Sequence, residues 1–148
     1  MTLEAFLAAF HLVAILTLVV FLSSQAALCR PEWMNAAVVQ RLARLDLIYG
    51  ITAGILLLTG IARVVWGAKG MGWYLSQPML HLKVTLFVLA AVLSIKPSIT
   101  FRRWLKAWQA DGSLPSEEAV RTTRRWVMWQ AHLIPVIAVI AVFWARGW

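Results

Sequence analysis

The sequence predicts an all-α fold, an integral membrane up-and-down bundle of four transmembrane helices. The 148 residues are 61% hydrophobic, only 14% are charged, and long apolar runs recur along the chain. Water-soluble domains have roughly 45–50% apolar and about 25% charged residues. The length predicts a single transmembrane domain over residues 1–148 and excludes a large multidomain enzyme.

The first span is predicted over residues 3–28, which exceeds the roughly 20 residues that a helix needs to cross a bilayer. Polar side chains are few in this run, and two of them are ionisable, Glu4 and His11. A secretory signal peptide would start with a basic segment, whereas the early charge here is an acid. We therefore expect this segment to remain as a membrane span.

Three further apolar runs complete the bundle, at residues 47–66, 79–95 and 127–145. The third connection, residues 96–125, is strongly basic. It predicts a helical extension of the third span, a turn near Gly112 and a new helix capped by Ser116, whose side chain precedes two acids. The whole pattern predicts four antiparallel helices with one amphipathic connection.

The distribution of basic residues predicts the orientation of the bundle. Lys and Arg crowd the first and third connections, and the second connection holds Lys69. By the positive-inside rule, both termini lie on the outer, periplasmic side. Tryptophans are predicted to form aromatic belts, with Trp66, Trp73, Trp144 and Trp148 outside and Trp33, Trp104, Trp108 and Trp126 inside. Trp129 could belong to a belt or to the packed interior.

The formal charge of +8 would suggest nucleic-acid binding in a soluble protein. Here the membrane orientation explains it, so the predicted partner is the lipid bilayer and no nucleic acid is expected. Cys29 is the single cysteine, so an internal disulfide and a thiolate metal site are both excluded. A cofactor would have to be held by His, Met, Lys or carboxylate side chains.

Ionisable groups inside the apolar runs are the candidate site residues, because a charge there is costly without a partner or a cavity. The helical rise places His11, Arg63, His81 and Lys83 in one outer layer of the bundle. His81 and Lys83 diverge by about 200° on a helix, so one of them should lie at the rim. His132, before Pro135, belongs to the inner half of the bundle.

Several roles are open to these residues. His11 could be an axial haem ligand, a copper ligand, a proton relay or a packed hydrogen-bonding residue. Lys83 could extend to the interface, or it could clamp an anionic ligand together with Arg63. His132 could be a second ligand or a substitution without a role, and His81 is most readily explained as an interfacial residue.

Two other features have structural interpretations. Asp46, at the inner end of the second span, is expected to pair with Arg44, Arg124 or Arg125. Gly50, Gly54 and Gly60 form a small-residue surface on the second span, including a Gly-xxx-Gly spacing that favours close helix packing.

Two stretches resemble a known family: Phe6-Leu7-Ala8-Ala9-Phe10-His11-Leu12-Val13 and Met79-Leu80-His81-Leu82-Lys83-Val84-Thr85-Leu86. They resemble the span-one histidine and the Leu-His-x-Lys segment of the bacterial, haem-binding, four-span protoporphyrinogen IX oxidase family. The resemblance implies haem b between spans one and three, with His11 as metal ligand, Lys83 as the catalytic lysine, and oxidation of a porphyrinogen. Span one lacks the Trp-Phe-Ala-Gly run of that family, and residues 130–135 differ before the proline of span four.

A second resemblance covers most of the length. The segments that carry it are residues 49–53, residues 59–67, residues 93–97, and the ending that starts at Ile134-Pro135-Val136. They are similar to a family of bacterial inner-membrane proteins known as a domain of unknown function. This resemblance implies a multi-pass protein of the bacterial inner (plasma) membrane and brings no activity with it.

The leading hypothesis is a haem b or porphyrin-binding redox protein that passes electrons to a quinone, with His11 on iron and Lys83 and Arg63 on an anionic edge. The remaining candidate cofactor residues are His81 and His132. Such a protein could be an oxidoreductase of the protoporphyrinogen oxidase type. The alternatives are a non-catalytic scaffold or subunit and a copper or small-solute permease, and a homo-oligomer is compatible with each.

Overall fold

The computed structural model describes residues 2–67 and 69–145, and its regular elements are all helical. In chain order they are α1 (Thr2–Leu28), a 3-10 turn (Pro31–Trp33), α2 (Ala36–Val65), α3 (Met71–Leu75), α4 (Pro78–Asp111) and α5 (Glu117–Ala145). The helices α1, α2, α4 and α5 are each long and apolar enough to cross a membrane. The predicted four-span, all-α architecture is therefore confirmed.

Local side chains explain where these helices begin and end. The Asn35 side chain accepts a hydrogen bond from the Val38 backbone N–H at 3.0 Å and caps α2. Ser116 accepts from the Ala119 N–H at 3.3 Å at the start of α5. Gly112, with φ of 74°, ends α4 in the left-handed conformation that glycine adopts without steric cost. The predicted turn and cap in the third connection are thus confirmed.

The four long helices form a square. The chain makes two hairpins, α1 with α2 and α4 with α5, and the hairpins meet where α2 packs on α4 and α1 packs on α5. Helices α1 and α4, the first and third spans, therefore lie on a diagonal.

We call the end of the bundle with residues 29–35 and 112–116 the basic end, and the opposite end the far end. The basic half and the far half meet at about the level of Leu18 and Thr52.

The hydrophobic core lies in the basic half of the bundle. Helices α2, α4 and α5 extend beyond the predicted apolar runs there, so their apolar faces pack together past the ends of the predicted spans. The buried side chains are Leu18, Leu22, Cys29, Val38, Val39, Leu42, Tyr49, Phe101, Trp104, Val120 and Val127. In the far half, the buried hydrophobic residues described are Ala14 and Ala90.

The structure changes the assignment of one tryptophan of the predicted aromatic belts and answers the open question about another. Trp104 is 8% exposed and meets the Phe101 ring edge to face with centroids 5.6 Å apart, so its predicted place in the inner belt is wrong. Trp129 is 69% exposed and points away from the bundle, which answers the open question about it. Trp148 lies outside the described residues.

The glycine surface of α2 does not pack inside the chain as expected. A Cβ added at Gly50 or Gly54 would meet nothing within 4 Å in the described part of the chain. A Cβ at Gly60 would lie 3.4 Å from Cε1 of His11. The small-residue spacing therefore leaves an open outer face at Gly50 and Gly54, and Gly60 lies at van der Waals distance from the His11 ring.

Polar contacts of α1 and the connection that follows it close the basic end. The Arg124 guanidinium donates to the carbonyl oxygens of Ala26 at 2.9 Å and Cys29 at 3.3 Å, which are acceptors that the end of a helix leaves unpaired. Cys29 is fully buried, with Sγ 3.9 Å from the Val120 carbonyl oxygen. Burial raises the pKa of this thiol to about 12, although the Arg124 charge acts in the opposite direction.

Pro97 lies inside α4, where it removes the N–H that would bond the carbonyl of Leu93. The Gln130 side chain of α5 supplies the missing donor, with Nε2 3.2 Å from the Leu93 carbonyl oxygen and 3.4 Å from that of Trp126. Gln130 is 1% exposed. A side chain of the neighbouring helix thus satisfies the backbone group that proline leaves open.

Candidate functional site

The candidate site in the far half is built around His11. This residue lies on α1, and its Nδ1 is 2.9 Å from Oγ1 of Thr59 on α2. The Thr59 hydroxyl is also 2.9 Å from the Ile55 carbonyl oxygen and 3.0 Å from that of Leu56, and it can donate its one proton to either. With the proton directed to either carbonyl, the hydroxyl oxygen is an acceptor for His11.

The direction of the Thr59 hydroxyl determines the form of the neutral imidazole. When Thr59 donates to a carbonyl oxygen of its own helix, Nδ1 of His11 carries the proton and Nε2 carries the lone pair. A Cβ added at Gly60 would lie 3.4 Å from Cε1, an ordinary van der Waals distance, so the ring packs on this face of α2. His11 is thus a half-buried ring that one hydrogen bond joins to α2.

Two cations accompany the ring. Arg63, one turn after Thr59 on α2, and Lys83 on α4 both act electrostatically on His11, and Arg63 acts on Lys83 as well. The predicted outer layer therefore brings together His11, Arg63 and Lys83, from both hairpins. Like charges at this depth are unfavourable unless something anionic or polar lies between them.

Lys83 also belongs to an aromatic stack at the far end. Its Nζ lies 3.9 Å from the centroid of the Trp144 ring. Trp144 stacks on Trp73 with centroids 6.3 Å apart and planes 7° from parallel, and Nζ of Lys69 lies 3.9 Å from the other ring. Tyr74 meets both tryptophans edge to face. Two cations thus flank two parallel indoles, an arrangement that cation–π attraction stabilises.

The other two histidines lie apart from this site. His81 is exposed, with Nε2 2.8 Å from the Leu75 carbonyl oxygen, so of the pair His81 and Lys83 it is the histidine that lies at the rim. His132 is exposed, and its Nδ1 is 2.6 Å from the Met128 carbonyl oxygen of the preceding turn. Together with Arg124, Arg125 and Trp129, it lines a surface groove of about 470 Å³.

Asp46 does not make the ion pair that its position suggested. It is 4% exposed, and its Oδ1 accepts a 2.7 Å hydrogen bond from the Ser98 hydroxyl on α4. Among the described residues the salt bridge is the exposed pair Arg121–Glu117, so pairing of Asp46 with Arg44, Arg124 or Arg125 is wrong. The reason is geometric, since Arg124 already bonds the end of α1 and Asp46 faces the interior.

The donor set of the site limits what it can hold. Within the described residues, no group of three or more His, Cys, Asp or Glu side chains could bind a metal ion. A bare metal ion needs several protein ligands, whereas a tetrapyrrole brings four nitrogens of its own and needs one or two from the protein.

Thr59 is a site residue that the sequence analysis did not single out. A hydroxyl four residues before an intramembrane arginine, level with a histidine on the preceding span, is the signal that could have found it.

The fold and the site define a class: a four-span, all-helical integral membrane protein with one oriented histidine and two cations in its far half. Residues 3–148 match the family described as predicted membrane protein (DUF2214), and the chain belongs to that family. The expected four-span family of unknown function is thereby confirmed. The comparison with curated proteins gave no match, and neither did the comparison with solved structures. The resemblance to the oxidase family, and the periplasmic side of the termini, stay predictions.

Proposed function

We propose that this chain binds haem b, or a closely related tetrapyrrole, in the far half of the bundle and works as a redox protein of the bacterial inner membrane. The observation that carries the proposal is the hydrogen bond between His11 and Thr59. Metal-ligating histidines almost always donate their other ring N–H to an oxygen, which fixes the ring and raises its basicity. The 2.9 Å contact between Nδ1 of His11 and the Thr59 hydroxyl oxygen provides such an oxygen, and it would leave Nε2 to bind iron.

The surrounding residues fit such a group. Arg63 and Lys83 supply two positive charges near the ring, which suits the two propionates of a haem. The far half buries few large side chains, so a flat macrocycle would find less packing to displace there than at the basic end. Because α1 and α4 lie on a diagonal, a group held by His11 and Lys83 would lie in the interior of the square.

The protein's own contribution would be to bind and orient. A haem would supply one-electron chemistry. His11 would hold the iron, Arg63 would neutralise an anionic edge, and Lys83 would contact the anionic groups of a porphyrinogen-like substrate as the catalytic residue. A membrane quinone is the proposed electron acceptor. His81 and His132 lie apart from the ring and are not needed by this proposal.

The test is the visible absorption spectrum of detergent-purified protein from haem-replete cells, oxidised and then dithionite-reduced, with pyridine haemochrome analysis. We expect a Soret band with sharp reduced α and β bands. His11→Ala should lose these bands, whereas His81→Ala and His132→Ala should keep them. Thr59→Val should keep the haem but change its reduction potential, because the donor Nδ1–H loses its acceptor.

Two results would overturn the proposal. A colourless wild-type protein from haem-replete cells would show that the protein does not bind haem. Full haem occupancy in a folded His11→Ala protein, checked by its circular dichroism spectrum, would remove the ligand assignment. The scaffold and permease hypotheses would then be the ones to test.

A further inference from the structure

The buried polar side chains of the bundle point to a second site, in the basic half. Polar groups inside a membrane protein are expensive unless they are paired or functional. The buried polar residues described are Gln25, Asp46, Thr52, Thr123 and Gln130, and Tyr49 is also buried. Thr123 bonds a carbonyl of its own helix, that of Ala119 at 2.8 Å. Gln130 donates to the Leu93 carbonyl through Nε2, and Asp46 accepts from Ser98, but these bonds do not account for the whole set.

Three of these residues form one stripe on α2. Asp46, Tyr49 and Thr52 follow one another at intervals of three residues, so they share a face, and they are 4%, 5% and 6% exposed. A carboxyl, a phenol and an aliphatic hydroxyl therefore face the interior in sequence from the basic end inward. This is a set of groups that can each donate or accept a proton in a hydrogen bond.

Contacts between the helices bring further polar groups to the same levels. The His11–Thr59 contact sets the register of α1 against the antiparallel α2. Counting 14 residues forward along α1 and 14 back along α2 places Gln25 level with about residue 45, which is the level of Asp46. Ser98 bonds Asp46 from α4. Gln130 bonds the Leu93 carbonyl, about 7.5 Å further inward than Ser98, which is the level of Tyr49 and Thr52.

The charges around Asp46 leave it without an ion-pair partner. On its own helix the neighbouring titratable group is Tyr49, and from α4 it meets the Ser98 hydroxyl and the more distant charge of Arg102. No basic nitrogen lies within salt-bridge distance of Asp46 among the described residues. A carboxyl that shares a short bond with a neutral hydroxyl can exist in either protonation state without breaking an ionic contact.

Two amide atoms at the levels of this stripe lack hydrogen-bond partners among the described residues. Nε2 of Gln25 and Oε1 of Gln130 are buried, and neither has a hydrogen-bond partner in the described part of the chain. A buried polar group without a hydrogen-bond partner destabilises the folded protein. Internal water molecules commonly satisfy such groups when a site offers several polar partners. One orphan is a donor and the other an acceptor, which is what a chain of waters needs at its two ends.

We propose that Asp46 is the proton-carrying group of a hydrated relay in the basic half, formed with Gln25, Tyr49, Ser98 and Gln130 and open to the aqueous phase at the basic end. The step is a simple exchange: the Asp46 carboxylic acid gives H⁺ to a hydrogen-bonded water, leaving a carboxylate and a hydronium ion, and the reverse step restores it. The relay goes beyond the proposed haem function and does not depend on it.

The test is infrared difference spectroscopy of the protein in lipid bilayers, between two buffer pH values, in H₂O and in D₂O. We expect a protonated-carboxyl C=O band that grows on acidification and shifts in D₂O. Asp46→Asn should lose it, and Ser98→Ala should move its frequency because the hydroxyl bond is gone. Asp111→Asn is the matched control, since Asp111 is exposed at the end of α4 and its loss should leave the band in place.

Three results would overturn the proposal. Difference spectra that are identical for the wild type and Asp46→Asn would show that Asp46 does not titrate. A band that changes neither with pH nor in D₂O would show that the carboxyl does not exchange its proton with the solvent. A band that responds to Na⁺ but not to pH would assign the site to a cation. If Asp46→Asn does not fold, Gln25→Leu should slow deuterium exchange of the band, and an unchanged rate in that variant together with an unchanged frequency in Ser98→Ala would equally contradict the relay.

Discussion

The basic half and the far half of this bundle are built differently. The basic half buries a continuous set of large side chains, from Leu18 and Leu22 to Phe101 and Val127, and it holds the buried polar groups. The far half buries two alanines among its hydrophobic residues, and it contains the oriented histidine and its two cations. The comparison indicates that tight packing and the candidate cofactor site are kept at separate depths.

The physical reason lies in the lengths of the helices. Helix α4 continues 16 residues past the end of the predicted apolar run at Ile95, and α2 begins 11 residues before the run at Leu47. These extensions lie outside the predicted apolar runs, and in water burial of apolar surface stabilises packing by about 25 cal/mol per Å². Within lipid that driving force is absent, and helices associate through close contacts and hydrogen bonds.

Removing the cap of α1 should have the largest effect on stability. Arg124→Met deletes two charge-assisted hydrogen bonds, to Ala26 and Cys29, and should lower the free energy of unfolding by about 2–3 kcal/mol. The measurement is thermal unfolding in detergent, followed by circular dichroism. Arg125→Met, at an exposed neighbouring position, should change it by less than about 0.5 kcal/mol. Equal effects of the two substitutions would contradict the capping role.

Loss of the hydrogen bond from Gln130 to the carbonyl that Pro97 leaves open should have an intermediate effect on the free energy of unfolding. A double-mutant cycle can isolate this effect. Gln130→Leu leaves the Leu93 carbonyl without a donor and should cost about 1 kcal/mol, which is typical of hydrogen bonds between membrane helices. Pro97→Ala restores a backbone N–H beneath that carbonyl, so Gln130→Leu should cost measurably less in its presence. Strictly additive effects would show that the two residues act independently.

Ionisation of Cys29 should have the smallest effect on the free energy of unfolding. Burial of the thiol should have a clear effect on its reaction with maleimide. With its pKa raised to about 12, the thiol should resist maleimide at pH 7.5 in the folded protein and react after unfolding. Glu32→Cys in a Cys29→Ala background places a thiol at an exposed neighbouring position and should be labelled at once. Because an unfolded thiol ionises near pH 9, the free energy of unfolding should fall as the pH rises from about 9 toward 12. Rapid labelling of native Cys29 would refute its burial.

The sequence was sufficient for the number of spans and for the layer of His11, Arg63 and Lys83, because hydropathy and a rise of 1.5 Å per residue determine both. It was not sufficient to say which face of each helix is packed. Lipid and protein interior are both apolar, so composition could not distinguish the open face at Gly50 from a packed one, nor place Trp104 in the core.

The partners of polar groups were also beyond the sequence. Asp46 was expected to meet an arginine, and it meets Ser98, because the relative rotation of α2 and α4 decides the contact. The donation from Gln130 to the carbonyl beneath Pro97 depends on the same rotation. Contacts between helices far apart in the chain are set by packing, which the periodicity of one helix does not contain.

The placement of polar contacts between the hairpins has a mechanical consequence. The bonds that join the two hairpins, from Arg124 to the end of α1 and from Ser98 to Asp46, lie toward the basic end. In the far half, His11 bonds within one hairpin, Lys83 stacks within the other, and Arg63 and Lys83 repel each other across the gap. Among the described residues, polar contacts therefore fasten the two hairpins to each other toward the basic end, whereas repulsion between two cations acts between them in the far half.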